Sequence, residues 1–252
     1  QKQLFGVYHA PESVVVRKSA VLLCQPLGHE YLRAHRAFRN LAVALAAQGF
    51  QVLRFDYYGN GDSGGTSEET SVDQCLADVQ TSIEELRDIS GVSMVSLVGL
   101  RLGATFAALT AAQRSDIDRL VLWDPVIDGD AYLRDLAALQ QEWLRDRFGP
   151  RAGAAHPEER ELLGFSLGEV GERQLGATRM PSPVSIRARS VRLLASRDQP
   201  LYGALRQEFE KAGVPSRYEV VEGSADWDRG DLIHQILLPH AMVRAIVATL
   251  GA

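Results

Sequence analysis

Apolar positions along this chain form short, nearly continuous runs, separated by longer stretches in which they recur every three or four residues. The runs at 20–24, 51–55, 94–98, 119–123, 190–195 and 217–221 have the length and composition of buried strands. Helical periodicity fills much of the space between them: 36–48, closed by Gly49; 71–89, with Val72, Leu76, Val79, Ile83 and Leu86 on one stripe; 104–114, rich in alanine; 201–212; and about 240–250. Strands separated by helices predict right-handed crossovers and a mainly parallel sheet with helices on both faces. Ligands of such sheets sit beyond the carboxyl ends of the strands, so residues just after each strand are the ones to watch. The alternation breaks over 128–188, where helical patterns at 133–148 and 158–175 flank Gly149, Pro150, Gly153 and Pro157. That stretch reads as a helical cap inserted into a single α/β domain spanning 1–252.

Composition narrows the class. The length of 252 residues suits one large domain with a substantial core. A formal charge of −5 without any Lys/Arg cluster argues against a nucleic-acid partner. No apolar run approaches the roughly 20 residues that span a bilayer. The first residues lack the apolar core of a signal peptide, so a cytoplasmic location is expected. Two cysteines, Cys24 and Cys75, make no disulfide framework, and Cys24 at the end of an apolar run reads as a buried thiol. No metal-ligand spacing occurs, and neither metal nor cofactor is expected.

Two motifs mislead. Gly59-Asn60-Gly61-Asp62-Ser63-Gly64 fits a dinucleotide fingerprint, but that loop must open directly into a helix facing the pyrophosphate. Here Gly65, Thr66, Ser67 and two glutamates follow, which is loop chemistry of the wrong charge. Gly61-Asp62-Ser63-Gly64-Gly65 looks like the active-serine segment of trypsin-like proteases, whose all-β fold and residue order the helical alternation contradicts.

The informative segment is Val98-Gly99-Leu100-Arg101-Leu102-Gly103-Ala104, with the form strand, Gly-x-Xaa-x-Gly, helix. Paired glycines let a chain turn sharply and hold the middle side chain above the sheet, where a hydrolase keeps its nucleophile. Arg101 stands there, and a guanidinium neither deprotonates nor attacks a carbonyl. With this elbow, Arg54 to Ser63 and Leu193-Leu194-Ala195-Ser196-Arg197-Asp198, the chain resembles the α/β-hydrolase superfamily over nearly its whole length. It is closer still to a bacterial subgroup of natural-product and exopolysaccharide gene clusters. The segments that carry this likeness are Pro26 to Tyr31, His35 to Arg39, Gly99-Leu100-Arg101-Leu102-Gly103 and Leu122-Trp123-Asp124-Pro125-Val126. That resemblance implies a tailoring enzyme with arginine at the elbow. It also implies a triad histidine after the last strand, yet 222–230 contains none; His234 and His240 come later.

Candidate site residues follow. Glu30, Asp124 and Asp198 are the acids expected near Arg101, as a structural ion-pair network or as proton-transfer groups beside an arginine that binds a carboxylate or enolate. His29, in the segment that by resemblance helps form the oxyanion hole, is the leading histidine and His234 the second. Tyr57, Tyr58, Leu100, Leu102 and Trp227 are expected to line a small-molecule pocket, although tyrosines placed like Tyr57 and Tyr58 are more often packing; Asp56 is expected to hold the glycine loop. Three functions fit. The first is non-covalent loss of an acyloxy group, such as acetate from a tetronate-like polyketide intermediate. The second is ester or thioester hydrolysis through an activated water, and the third is binding without turnover.

Overall fold

The computed structural model describes residues 2–149, 161–223, 226–227 and 235–251. Its centre is a seven-stranded sheet of order β1-β3-β2-β4-β5-β8-β9. The strands are β1 (Gly6–His9), β2 (Ser19–Cys24), β3 (Val52–Phe55), β4 (Met94–Leu100), β5 (Ile117–Trp123), β8 (Ser190–Ala195) and β9 (Ser216–Val220). All pair in parallel except the edge strand β1, which runs antiparallel to β3. At four residues and without an alternating pattern, β1 gives no sequence signal. Helices α1 (Gly28–Ala47) and α7 (His240–Gly251) cover one face, α2 (Val72–Ser90), α3 (Leu102–Gln113) and α6 (Pro200–Lys211) the other. On the α1/α7 face Phe38 stacks on Trp123 with centroids 6.4 Å apart, beside Val98, Val121, Met242 and Ile246.

Two departures from the sequence pattern bear on the site. Helix α1 starts at Gly28, eight residues before the periodic stripe becomes visible. Its inward positions begin with His29, Glu30 and Arg33 and turn apolar only from Ala34 onward, so the early turns hide their helicity behind polar residues. Between β5 and β8 the chain forms α4 (Gly129–Phe148) and then a small hairpin, β6 (Glu161–Leu162) and β7 (Phe165–Ser166), before α5 (Glu169–Ala177). The helix expected over 158–175 is therefore broken. Leu163 and Gly164 both take positive φ, 53° and 86°, the geometry of a two-residue hairpin turn.

Both thiols are buried, and burial pushes Cys24 up to about 12 and Cys75 well above its ordinary value. Ellman's reagent is expected to titrate no thiol in the native protein and both after unfolding; fast native reaction at either would contradict this packing.

Candidate active site

The elbow after β4 is built by steric necessity. A Cβ at Gly99 would lie 2.4 Å from the Ala104 Cα, and one at Gly103 would lie 2.2 Å from the Cys24 carbonyl oxygen. Between them Arg101 adopts φ 54°, ψ −121°, a conformation that costs a non-glycine residue about 1–3 kcal/mol. Its surroundings hold it there: its N–H donates to the Trp123 carbonyl at 3.0 Å, and its carbonyl accepts from the N–H of Ala104 at 3.1 Å and of Thr105 at 3.3 Å. The Thr105 Oγ1 then donates to the Val126 carbonyl at 2.6 Å, tying the elbow to the loop after β5.

Arg101 points into a cavity of about 480 Å³ at the carboxyl end of the sheet, under α4. Its Nε donates to Glu30 Oε1 at 2.8 Å, and the Tyr132 hydroxyl donates to Glu30 Oε2 at 3.0 Å. The guanidinium lies 5.4 Å from the Tyr132 ring centroid and 5.6 Å from that of Trp227, within cation–π range of both. Tyr202, whose hydroxyl donates to the Pro125 carbonyl at 3.3 Å, lines the same cavity. Glu30 is 1% exposed and Arg101 15%. Burial is the strongest single influence and works against the charge on Arg101, but Glu30, Tyr202 and Tyr132 together outweigh it and hold the guanidinium above its ordinary value.

Behind this pair sits a second acid. Asp124, at φ 42°, accepts from the Ser196 N–H at 2.7 Å, from the Ser196 hydroxyl, and from Trp227 Nε1 at 2.9 Å. The chain order Arg101, Asp124, Trp227 is the Ser, Asp, His order of hydrolases built on such an elbow. Trp227 thus occupies the acid's partner position with a ring nitrogen that only donates and cannot take up a proton. Ser196 is buried and its hydroxyl is turned onto Asp124.

The other expected site residues scatter. His29 is buried in the first turn of α1 and does not line the cavity. Asp198 accepts from the Tyr218 hydroxyl at 2.7 Å and is likewise outside the cavity. Tyr57 is core, edge-on to Phe55 and Phe106, because the chain turns inward after β3. Tyr58 packs beneath Gly65 with Lys2 over its ring. Leu100 and Leu102 flank the elbow but point into the two cores, one on each face of the sheet. None of these four lines the cavity, so the pocket-lining expectation for them is corrected. His234 lies outside the described residues. Asp56 takes the structural place expected, accepting from Gln25 Nε2 at 2.9 Å, the Tyr31 hydroxyl at 3.0 Å and the Asp62 N–H at 3.0 Å. Sequence reasoning missed Tyr132, Tyr202 and Arg33. Tyr132 and Tyr202 look like ordinary helix residues; Arg33 sits in the unrecognised start of α1, where the i, i+3 spacing from Glu30 was the available signal.

Among the described residues no cluster of His, Cys, Asp and Glu is arranged to hold a metal, and no helix is long and apolar enough to cross a membrane.

Comparison with known proteins follows the same outline. The model of the family described as serine aminopeptidase, S33, matches residues 18–180. No curated protein matches the sequence. Among solved structures, the Est1E protein of Butyrivibrio proteoclasticus with bound ferulic acid superposes with a TM-score of 0.66 at 16% identity, over 100% of this chain and 97% of that one. A Paleococcus ferrophilus monoacylglycerol lipase gives 0.64 at 21% identity, over 99% and 98%. The enol-lactonase of Burkholderia xenovorans LB400 gives 0.61 at 17% identity, over 100% and 97%. At these identities the likeness shows a shared α/β-hydrolase fold.

Two stability effects are expected. Glu30→Ala strands a buried cation and should lower the unfolding free energy by about 3–5 kcal/mol in urea titration. Gly103→Ala, clashing with backbone, should cost at least about 3 kcal/mol by the same measurement. A loss within error for either variant would contradict the geometry.

Proposed function

Because this chain belongs to the serine aminopeptidase S33 family of α/β-hydrolases, we propose that it cleaves a small carboxylic ester or thioester without a covalent acyl-enzyme. The observation that carries this reading is the Arg101–Glu30 pair, set where the fold presents its attacking atom and facing a cavity with apolar walls at Leu136, Leu139 and Val126. With Nε given to Glu30, the terminal nitrogens of Arg101 are what this residue offers a ligand. Named esterase and lipase structures of the same fold favour ester cleavage over elimination of an acyloxy group.

In this mechanism water attacks the acyl carbon and gives its proton to Glu30 as the new C–O bond forms. Negative charge gathers on the former carbonyl oxygen, where Arg101 stabilises it. Collapse breaks the bond to the leaving oxygen or sulfur, which takes the proton back from Glu30. The Tyr132 hydroxyl fixes the carboxylate, and Tyr132 and Trp227 fix the guanidinium plane. Asp124 and Trp227 hold the back wall of the site. By its resemblance to natural-product and exopolysaccharide-cluster proteins, we place the physiological substrate among acylated pathway intermediates, of which an acetylated tetronate-like polyketide is one form.

The test uses 4-nitrophenyl butyrate in ¹⁸O-water with and without a fluorophosphonate probe. Label is expected in the released butyrate, with no covalent labelling and no inhibition by the probe. Glu30→Gln and Arg101→Ser should each lower kcat by about 10² or more. Covalent labelling of a serine, or unaltered kcat in both variants, would overturn the reading; an unlabelled acid released from a natural intermediate would indicate elimination instead. Because Glu30, Tyr202 and Tyr132 hold Arg101 above its ordinary value in the folded protein, its charge persists through the unfolded-state value and is lost only above the folded one. Binding of a carboxylate such as hexanoate should therefore stay level from neutral into alkaline pH.

A further inference from the structure

Arg33 is buried and does not line the cavity, yet it grips the segment that closes the cavity's back wall. Its Nη1 and Nη2 both donate to the Asp226 carbonyl at 3.1 Å, and its Nε donates to the Gln235 carbonyl at 3.3 Å. Its own carbonyl accepts from the Leu237 N–H at 2.9 Å. The guanidinium lies 5.1 Å from the Trp227 ring centroid, so the indole that contacts Arg101 is also packed by Arg33. Three contacts thus converge on Trp227: Arg33, Arg101, and Asp124 at its ring nitrogen.

We propose that Arg33 is the positioning residue of this site, setting Asp226 and Trp227 so that the indole fixes the guanidinium plane of Arg101. The logic is geometric. The Asp226 carbonyl comes immediately before Trp227 in the chain, so clamping it with two nitrogens fixes where the Trp227 backbone starts. The Asp124 bond then fixes the indole's tilt. What remains is the distance between the indole and Arg101, and Arg33 sets it through its contact with the same ring. Charge fits the assignment: burial pushes the Arg33 guanidinium down, Glu30 and Asp226 push it up, and Arg101 pushes it down as a neighbouring cation. Two like charges are thus kept apart with an indole and a carboxylate beside them. A lysine keeps the charge but loses both the two-nitrogen grip and the flat stacking face. The consequence for ligand binding rests on the role proposed above for Arg101; the placement of Trp227 does not.

The experiment is ¹⁹F NMR of protein labelled with 5-fluorotryptophan, which gives resonances for Trp123, Trp143 and Trp227, the last assigned with Trp227→Phe. In Arg33→Lys the Trp227 resonance is expected to shift or broaden while the other two stay in place. Hexanoate affinity should fall about tenfold or more, as when a positioning contact is lost. In the unaltered protein hexanoate should move the Trp227 resonance alone; if Arg33→Lys folds poorly, Arg33→Gln, which also lacks the two-nitrogen grip, is read by the same two measurements. An unmoved Trp227 resonance with unchanged affinity overturns the proposal, as does a common shift of all three resonances. If hexanoate fails to bind the unaltered protein while Trp227 still responds to Arg33→Lys, positioning by Arg33 stands and the anion-binding role of Arg101 falls.

Discussion

The site depends on one buried ion pair. Arg101 occupies a strained backbone position above the sheet, and without Glu30 its largely buried charge would be a liability. Glu30 in turn owes its place to the first turn of α1, which begins at Gly28 directly after β2. The acid side of the site and its cationic centre are therefore delivered by two neighbouring parallel strands, β2 and β4, whose registers fix them opposite each other. Tyr132 from α4 and Trp227 from the segment after β9 join Glu30, so three separate parts of the chain converge on the guanidinium that the elbow presents.

A triad-like order survives with altered chemistry. The acid Asp124 is fully hydrogen-bonded, and the group that reaches it is an indole N–H. An imidazole at that position can shuttle a proton between acid and nucleophile; an indole fixes geometry and nothing more. The same scaffold that elsewhere activates a hydroxyl here supports a planar cation.

Much of the fold could be read from the sequence because the parallel strands are buried on both faces and their apolar runs are unmistakable, as at 20–24 and 94–98. The elbow was legible too, since only glycine fits at Gly99 and Gly103. The early turns of α1 were not, because site-facing positions of that helix are polar and break the apolar stripe. Pocket lining by Leu100 and Leu102 fails for a related reason: adjacency to a motif in sequence does not say which face of the sheet a side chain takes, whereas Tyr57 and Tyr58 take the packing role weighed for them. Leu100 and Leu102 flank Arg101 and enter opposite cores. Tyr132 and Tyr202 carried no signal, being ordinary helix residues until the tertiary fold brings them to Arg101.

The most direct measurement of the central claim is a crystal structure of the protein soaked with butyrate. The carboxylate is expected against the terminal nitrogens of Arg101, with Glu30 still on Nε and the indole of Trp227 still on Asp124. Butyrate bound elsewhere in the cavity, with Arg101 turned away and a serine–histidine couple beside the ligand, would contradict the account.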